Sequence, residues 1–123
     1  MYEIVFYEDK NEKSPVYDFI KELSQKTDKD SRINLNKIND YIELLSIHGQ
    51  TLGEPYIKHI EDDIWELRPI KNRIFFAAWI NGGFILLHHF RKKTQKAPAK
   101  EIKQAVRNLK DITERSKSNE NLE

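Results

Sequence analysis

Residues 73–90, RIFFAAWINGGFILLHHF, constrain the fold more than any other stretch. Two apolar runs flank Asn81-Gly82-Gly83, and the tightest hairpin turns need the positive φ that Asn and Gly supply. RIFFAAWI and FILLHHF are each apolar on both faces, as strands in the middle of a sheet are. The remaining segments are read as the elements that such a hairpin organises around itself.

The first of them is YEIVFY (residues 2–7), which alternates and is β-rich, so it predicts a strand. Ser14-Pro15 then opens a helix, with Ser as N-cap and Pro where its missing N–H costs nothing. Val16, Phe19, Ile20 and Leu23 share one face, which carries this helix to about Thr27. Asp28 or Asp30 can cap a second helix, striped by Ile38, Tyr41, Ile42 and Leu45 and ended by Gly49. Together they predict a helical hairpin with one apolar side, about the right size to cover one face of a sheet.

From Tyr56 the period changes to two. YIKHI (56–60) is a candidate short strand, IWELR a firmer one, and Glu61-Asp62-Asp63 and Pro69-Ile70-Lys71-Asn72 read as turns. After the hairpin comes a basic loop, RKKTQKA, and Pro98 opens a last helix with Ile102, Ala105, Val106, Leu109 and Ile112 at helical spacing. The predicted order is β-α-α-β-β-β-α, an α+β fold with an antiparallel sheet. At this length one domain is expected over residues 1–117, with a polar, fraying tail over 118–123.

Cysteine is absent, which excludes disulfides and thiolate metal sites and suits a reducing compartment. No basic leader precedes an apolar run, and no apolar stretch approaches the roughly 20 residues of a membrane helix. The expectation is a cytoplasmic protein with no membrane association. No histidine pair has metal-ligand spacing, so neither a metal nor another cofactor is expected.

Charge is segregated. Of 21 basic and 20 acidic residues, eight basic and no acidic ones fall within 67–100, leaving 13 basic and 20 acidic elsewhere, a net −7. Basic groups on consecutive strands can gather on one surface and attract a polyanion. If 69–72 is a four-residue hairpin loop, Arg68 lies opposite Arg73 and Glu66 opposite Phe75. Facing arginines repel unless Glu66 or a bound phosphate offsets them. If Asn81-Gly82 is a two-residue loop, Arg73 pairs with Phe90, and His88, Phe90 and Lys92 join its face. A three-residue loop would bring His89 and Arg91 there instead. The stronger Asn-Gly signal favours the first register.

Three runs together resemble one known group of proteins: DIWELR, then NRIFFAAWINGGFILLHHFRKKTQKAP, then AKEIKQAVRNLKDI. They are similar to the RelE/ParE superfamily of type II toxins, and more narrowly to its phage-derived, HigB-like branch. The similarity is strong over about residues 54–112. It implies a small toxin that cleaves messenger RNA without metal on the translating ribosome, and a cognate antitoxin, HigA-like and carrying a helix-turn-helix domain. It places functional positions at Arg68, Arg73, Lys92 and Lys93, with Glu66 beside them. The tyrosine that RelE-type members carry in the final segment has no counterpart beyond Tyr56, so Phe90 or His88 is expected in its role.

The implied chemistry is attack by the RNA 2′-hydroxyl on the adjacent phosphorus. Arg68 and Arg73 suit the growing negative charge, and a lysine crowded by cations, Lys92 or Lys93, suits acid or base work. Glu66 is expected to stay ionised and to orient Arg68 or act as base. His88 is the second choice of base, since the reference pKa of histidine is near 6.5. Arg91, Lys96 and Lys100 are expected to track phosphates and add salt-dependent affinity. Two other readings fit the same residues: a ParE-like gyrase poison, and a nucleic-acid-binding domain with no activity.

Overall fold

A computed structural model describes the backbone of residues 1–121 and the side chains of residues 1–118. The elements follow the sequence signals closely. Strand β1 (Ile4–Phe6) leads into α1 (Pro15–Ser24) and α2 (Lys29–His48). Strands β2 (Ile57–Glu61), β3 (Ile64–Leu67), β4 (Asn72–Ala78) and β5 (Phe84–Arg91) follow, and α3 (Ala99–Asn121) closes the chain. The candidate strand at 56–60 is thus β2, and the sheet has five strands in the order β1-β5-β4-β3-β2. Helix α3 carries on into the segment 118–123 expected to fray, and the rest of that segment lies outside the described residues. Among the described residues no helix is long and apolar enough to cross a membrane.

The α+β architecture is the expected one, but the sheet is mixed rather than antiparallel. β1 runs parallel to β5, with Ile4 opposite Phe84 and Phe6 opposite Leu86. The helical hairpin between β1 and β2 lets the chain enter the sheet at both outer positions, so β1 takes the open edge of β5. A three-residue strand carries no sequence signal for its direction. Gly83 permits the approach: a Cβ there would stand 2.6 Å from the Glu3 carbonyl oxygen.

The two faces of β4 and β5 are buried against different helices, which is why their sequences do not alternate. On one side Ile74, Phe76, Phe84 and Leu86 pack with Val16, Leu23, Ile38 and Leu45 of the helical hairpin. On the other, Phe75, Ala77, Ile85, Leu87 and Phe90 pack with Ala105 of α3, and Ile102, Leu109 and Ile112 flank them. Asp28 caps α2, its carboxylate accepting from the Ser31 N–H at 2.9 Å. Ser14 sits at the N-cap of α1 as expected, but its hydroxyl makes no cap bond. That helix stops at Ser24, short of Thr27, where Gln25 and Lys26 N–H groups bond back to Glu22 and Leu23 carbonyls. Tyr7 ties the start of the sheet to α3 by donating to Asp111 at 2.7 Å, and Arg115 holds the same carboxylate.

The register of β4 on β5 reaches the expected result by a different route. Arg73 lies opposite Phe90 and Phe75 opposite His88. Yet the connection is a three-residue turn, Ile80-Asn81-Gly82, closed by the Trp79 N–H to the Gly83 carbonyl at 2.8 Å. That turn offsets the pairing by one, so Ala78 faces Phe84 and Phe76 faces Leu86. A β-bulge between Phe75 and Phe76 inserts Leu87 and restores the offset before the strand ends.

His89 points to the helical hairpin, where its ring stacks on Phe19 with centroids 3.5 Å apart. Asn72 donates to the Asn34 side-chain oxygen at 2.8 Å, so its own amide oxygen is left to accept from His89 Nε2 at 3.2 Å. This bond fixes the neutral tautomer with its proton on Nε2. Burial, and then the charges of His88 and Arg91, push the His89 pKa down to about 4. The sign follows: a histidine whose folded pKa lies below its unfolded value favours the unfolded chain once protonated. Stability therefore falls as pH drops from about 6.5 towards about 4, by roughly 2–3 kcal/mol from this group. Urea unfolding across that window should show the loss, and His89→Gln, which keeps a donor for Asn72, should flatten it.

Candidate functional site

At the end of the sheet that carries the β3–β4 turn, a cleft of about 250 Å³ opens on the α3 side. β3 contributes Glu66, and Arg68 follows it; Arg73 comes near the start of β4, Phe90 near the end of β5, and Lys92, Lys93 and Lys96 from the basic loop. Period-two alternation explains the grouping. Glu66 pairs with Phe75, and Arg73 with Phe90, so these side chains leave the sheet on one face. The pairing predicted for a four-residue turn at 69–72 is the one observed.

Glu66 lies at the bottom of the cleft and is only 5% exposed. Its Oε1 is 3.3 Å from Arg68 Nε and 3.7 Å from Arg73 Nε. The carboxylate is therefore one of the groups that offset two like charges on adjacent strands. Burial still dominates its titration, raising its pKa above the ordinary glutamate value although Arg73, Arg68, Lys58 and Lys92 all pull the other way. Arg73 is nearly as deep, at 6% exposed. Its Nη1 donates to the carbonyls of Ile70 at 2.9 Å and Asn72 at 2.8 Å. These two acceptors and Glu66 fix the plane of the guanidinium. Burial, more than the neighbouring Arg68, lowers its pKa, but an arginine remains charged.

Arg68 is held less completely. Its Nε is buried and within ion-pair range of Glu66, but out of line for a hydrogen bond, and it has no partner among the described residues. A buried donor without an acceptor is costly, about 1–3 kcal/mol.

The remaining predicted residues divide. Lys92, Lys93, Lys96 and Phe90 line the cleft with Glu66, Arg68 and Arg73. His88, Arg91 and Lys100 do not. His88 shares the face, but its ring is 3.3 Å from Glu101 of α3. Arg91 pairs with Asn72 and, one residue on from Phe90, is exposed on the opposite face. Lys100 is exposed in the first turn of α3. Sequence reasoning missed Lys58, which also lines the cleft and lies directly opposite Glu66 across β2 and β3. Carrying the pairing through the Glu61-Asp62-Asp63 turn would have found it.

A second cleft of about 390 Å³ adjoins the first. The two share Arg73, Lys92, Lys93, Thr94 and Gln95, and the second adds Ile70 and Lys71 from the β3–β4 turn. The Lys92 N–H donates to the Lys71 carbonyl at 2.7 Å, fastening the basic loop to that turn. Ile70 sits there at φ 59, a conformation that costs a residue with a β-branched side chain about 1–3 kcal/mol.

Residues 18–110 match the profile of a family described as phage-derived Gp49-like protein (DUF891). No curated protein matches the chain.

The titration of Glu66 yields a test independent of any activity. A carboxyl with a folded pKa above its unfolded value stabilises the fold while protonated and loses that contribution as pH rises from about 4.5 through the folded pKa. At neutral pH the ionised group is therefore a net burden on stability. Glu66→Gln should melt at the same temperature as the parent or higher at pH 7, and thermal melts should lose part of their pH dependence above about 4.5. A large drop in melting temperature would mean instead that the carboxylate is mainly a structural partner of the arginines.

Proposed function

The chain belongs to the phage-derived Gp49-like family, part of the RelE/ParE-like toxin superfamily, and from that premise we propose that it is the toxin of a type II toxin–antitoxin system. Within that superfamily we place it on the HigB-like branch, as a ribosome-dependent endoribonuclease that cleaves messenger RNA in the cytoplasm, inhibits translation and arrests growth. Its partners in this reading are messenger RNA, the ribosome and a HigA-like antitoxin with a helix-turn-helix domain. The observation that carries the reading is the buried Glu66 carboxylate set between Arg68 and Arg73 at the bottom of a cation-lined cleft.

The reaction is transfer of the phosphoryl linkage to the substrate's own 2′-oxygen. The 2′-hydroxyl loses its proton, the 2′-oxygen attacks phosphorus, and the bond to the 5′-oxygen breaks as that oxygen is protonated. The products are a 2′,3′-cyclic phosphate and a 5′-hydroxyl end. Glu66 is the base. Its raised pKa moves it towards the operating pH, where a general base works best. His88 is engaged by Glu101 outside the cleft and is the weaker choice. Arg73, fixed by two backbone carbonyls, stabilises the charge that grows on the non-bridging oxygens. Arg68, with about a quarter of its side chain exposed, adds its guanidinium charge beside the same oxygens. Lys92 or Lys93 protonates the leaving oxygen, with Lys58 facing Glu66 from the other side. Phe90 forms an apolar wall, and Lys96 binds a flanking phosphate, while Arg91 and Lys100 lie outside the cleft.

The ribosome's share is to hold the message in line, since positioning alone is worth many orders of magnitude in such reactions. Isolated protein should therefore cut naked RNA poorly.

When the chain is induced without its antitoxin, primer extension on cellular transcripts should reveal discrete new 5′ ends, and these should vanish when initiation is blocked. Arg73→Ala should lose about 10²–10³-fold in cleavage rate, and Glu66→Gln about 10²–10⁴-fold, with both proteins folded. Growth arrest with intact transcripts would overturn the reading in favour of a gyrase or other protein target. RNA binding by the parent with no cleavage would leave a binding domain only.

A further inference from the structure

The Ile70 side chain has no role in the mechanism above, yet its place in the fold is expensive. It holds φ 59, which glycine or asparagine adopts at little cost and a β-branched residue does not. Packing does not repay the strain, because the side chain is 45% exposed. Its carbonyl does hold Arg73 Nη1, but glycine would present the same carbonyl. The side chain itself is the part left without an internal reason.

Its surroundings supply one. The cleft beside Ile70 and the cleft over Glu66 meet at Arg73, Lys92 and Lys93, so they form two lobes of one groove with cations at the junction. A nucleic-acid strand crossing that junction puts a phosphate at the cations and one nucleoside in each lobe. The lobe on the turn side offers Ile70 as an exposed apolar surface, flanked by Lys71 and the Thr94-Gln95 segment, which can hydrogen-bond a base edge.

We propose that this second lobe is a base-binding subsite and that Ile70 is its specificity-determining contact, packing on the base next to the cleaved linkage. The proposal rests on the reading of the first lobe as the site of RNA cleavage. It treats the strain at Ile70 as the cost of an apolar contact made only with substrate.

Ile70→Gly removes the side chain and relieves the strain, so the variant folds at least as stably as the parent. The proposal expects its KM to rise about tenfold on message-programmed ribosomes, the scale of losing one apolar contact. The 5′ ends mapped by primer extension should become less selective for the base beside the cut, and Ile70→Leu should restore selectivity. An unchanged KM and an unchanged cleavage pattern in Ile70→Gly would overturn the subsite. A second measurement separates this from the reading beneath it. With isoleucine methyl groups labelled, a 2′-O-methyl dinucleotide that cannot be cut is titrated into the protein and followed by NMR. Movement of the Ile70 methyl without cleavage of any transcript would keep the subsite and overturn the nuclease. Cleavage with an unmoved Ile70 methyl would do the reverse, and neither cleavage nor movement would overturn both.

Discussion

The pairing of Arg73 with Phe90 across β4 and β5 decides which side chains share the cleft. Because successive strand residues face opposite sides, an offset of one would turn Arg91 to the α3 side and Phe90 to the helical hairpin. The basic loop would then leave the sheet on another side of Arg73, and Lys92 would not stand by it. Pairing on this hairpin is held from both ends. The three-residue turn fixes the tip, and the bulge at Leu87 shifts the strand by one before the functional end. Leu87 packs with Phe75 on the α3 side, while His89, two residues on, stacks on Phe19 of α1. The bulge is thus what lets one strand satisfy both cores and still deliver Phe90 to the cleft.

Within the cleft the controlling energy is desolvation. Glu66 has two guanidinium groups within 4 Å, and two lysines nearby, and its pKa still rises. Four cations fail to recover what the carboxylate loses by leaving water. A buried ion pair is commonly of this kind, with attraction that does not fully offset the desolvation of its members. The cleft therefore disfavours the ionised carboxylate relative to its neutral form. Arg68 makes the same point from the opposite charge, since its buried Nε stands without an aligned acceptor. Groups kept in such a state suit the phosphate that the proposed function would bring to this cleft.

Much of this was legible in the chain because it is governed by period and by turn chemistry. Two-sided apolar runs marked β4 and β5 as covered on both faces, and Asp28, Gly49 and Pro98 marked helix ends. The four-residue turn at 69–72 set Glu66 opposite Phe75, which placed the two arginines and the carboxylate together. Other features lay beyond local signals. The parallel direction of β1 depends on where the helical hairpin returns the chain, which three residues cannot encode. Asn-Gly suggested a two-residue loop, and the right register came only because the bulge compensated for a longer turn. Lys58 went unnoticed because its strand is short and half polar, and its position matters only through the partner strand. His88 looked available in sequence, but Glu101 reaches it from a helix thirteen residues further on.

Asn72 joins the two sides of the molecule, and it explains why a buried polar residue is tolerated at the start of a central strand. Its side chain turns to the hairpin side, bridging Asn34 of α2 and His89 of β5. Its carbonyl turns to Arg73 and, with the Ile70 carbonyl, fixes the guanidinium. At 1% exposure the amide must satisfy its hydrogen bonds within the protein, and those bonds hold the same peptide unit that aims Arg73. A side-chain amide can rotate to suit its partners, but here Asn34 takes the donor and His89 the acceptor, so only one orientation serves both. The packing of the helical hairpin is thereby coupled to the geometry of the cleft on the other face of the sheet. An apolar residue at this position would fill the volume, yet it would leave the Asn34 side-chain oxygen and His89 Nε2 without partners and loosen the turn that carries Ile70 and Arg73.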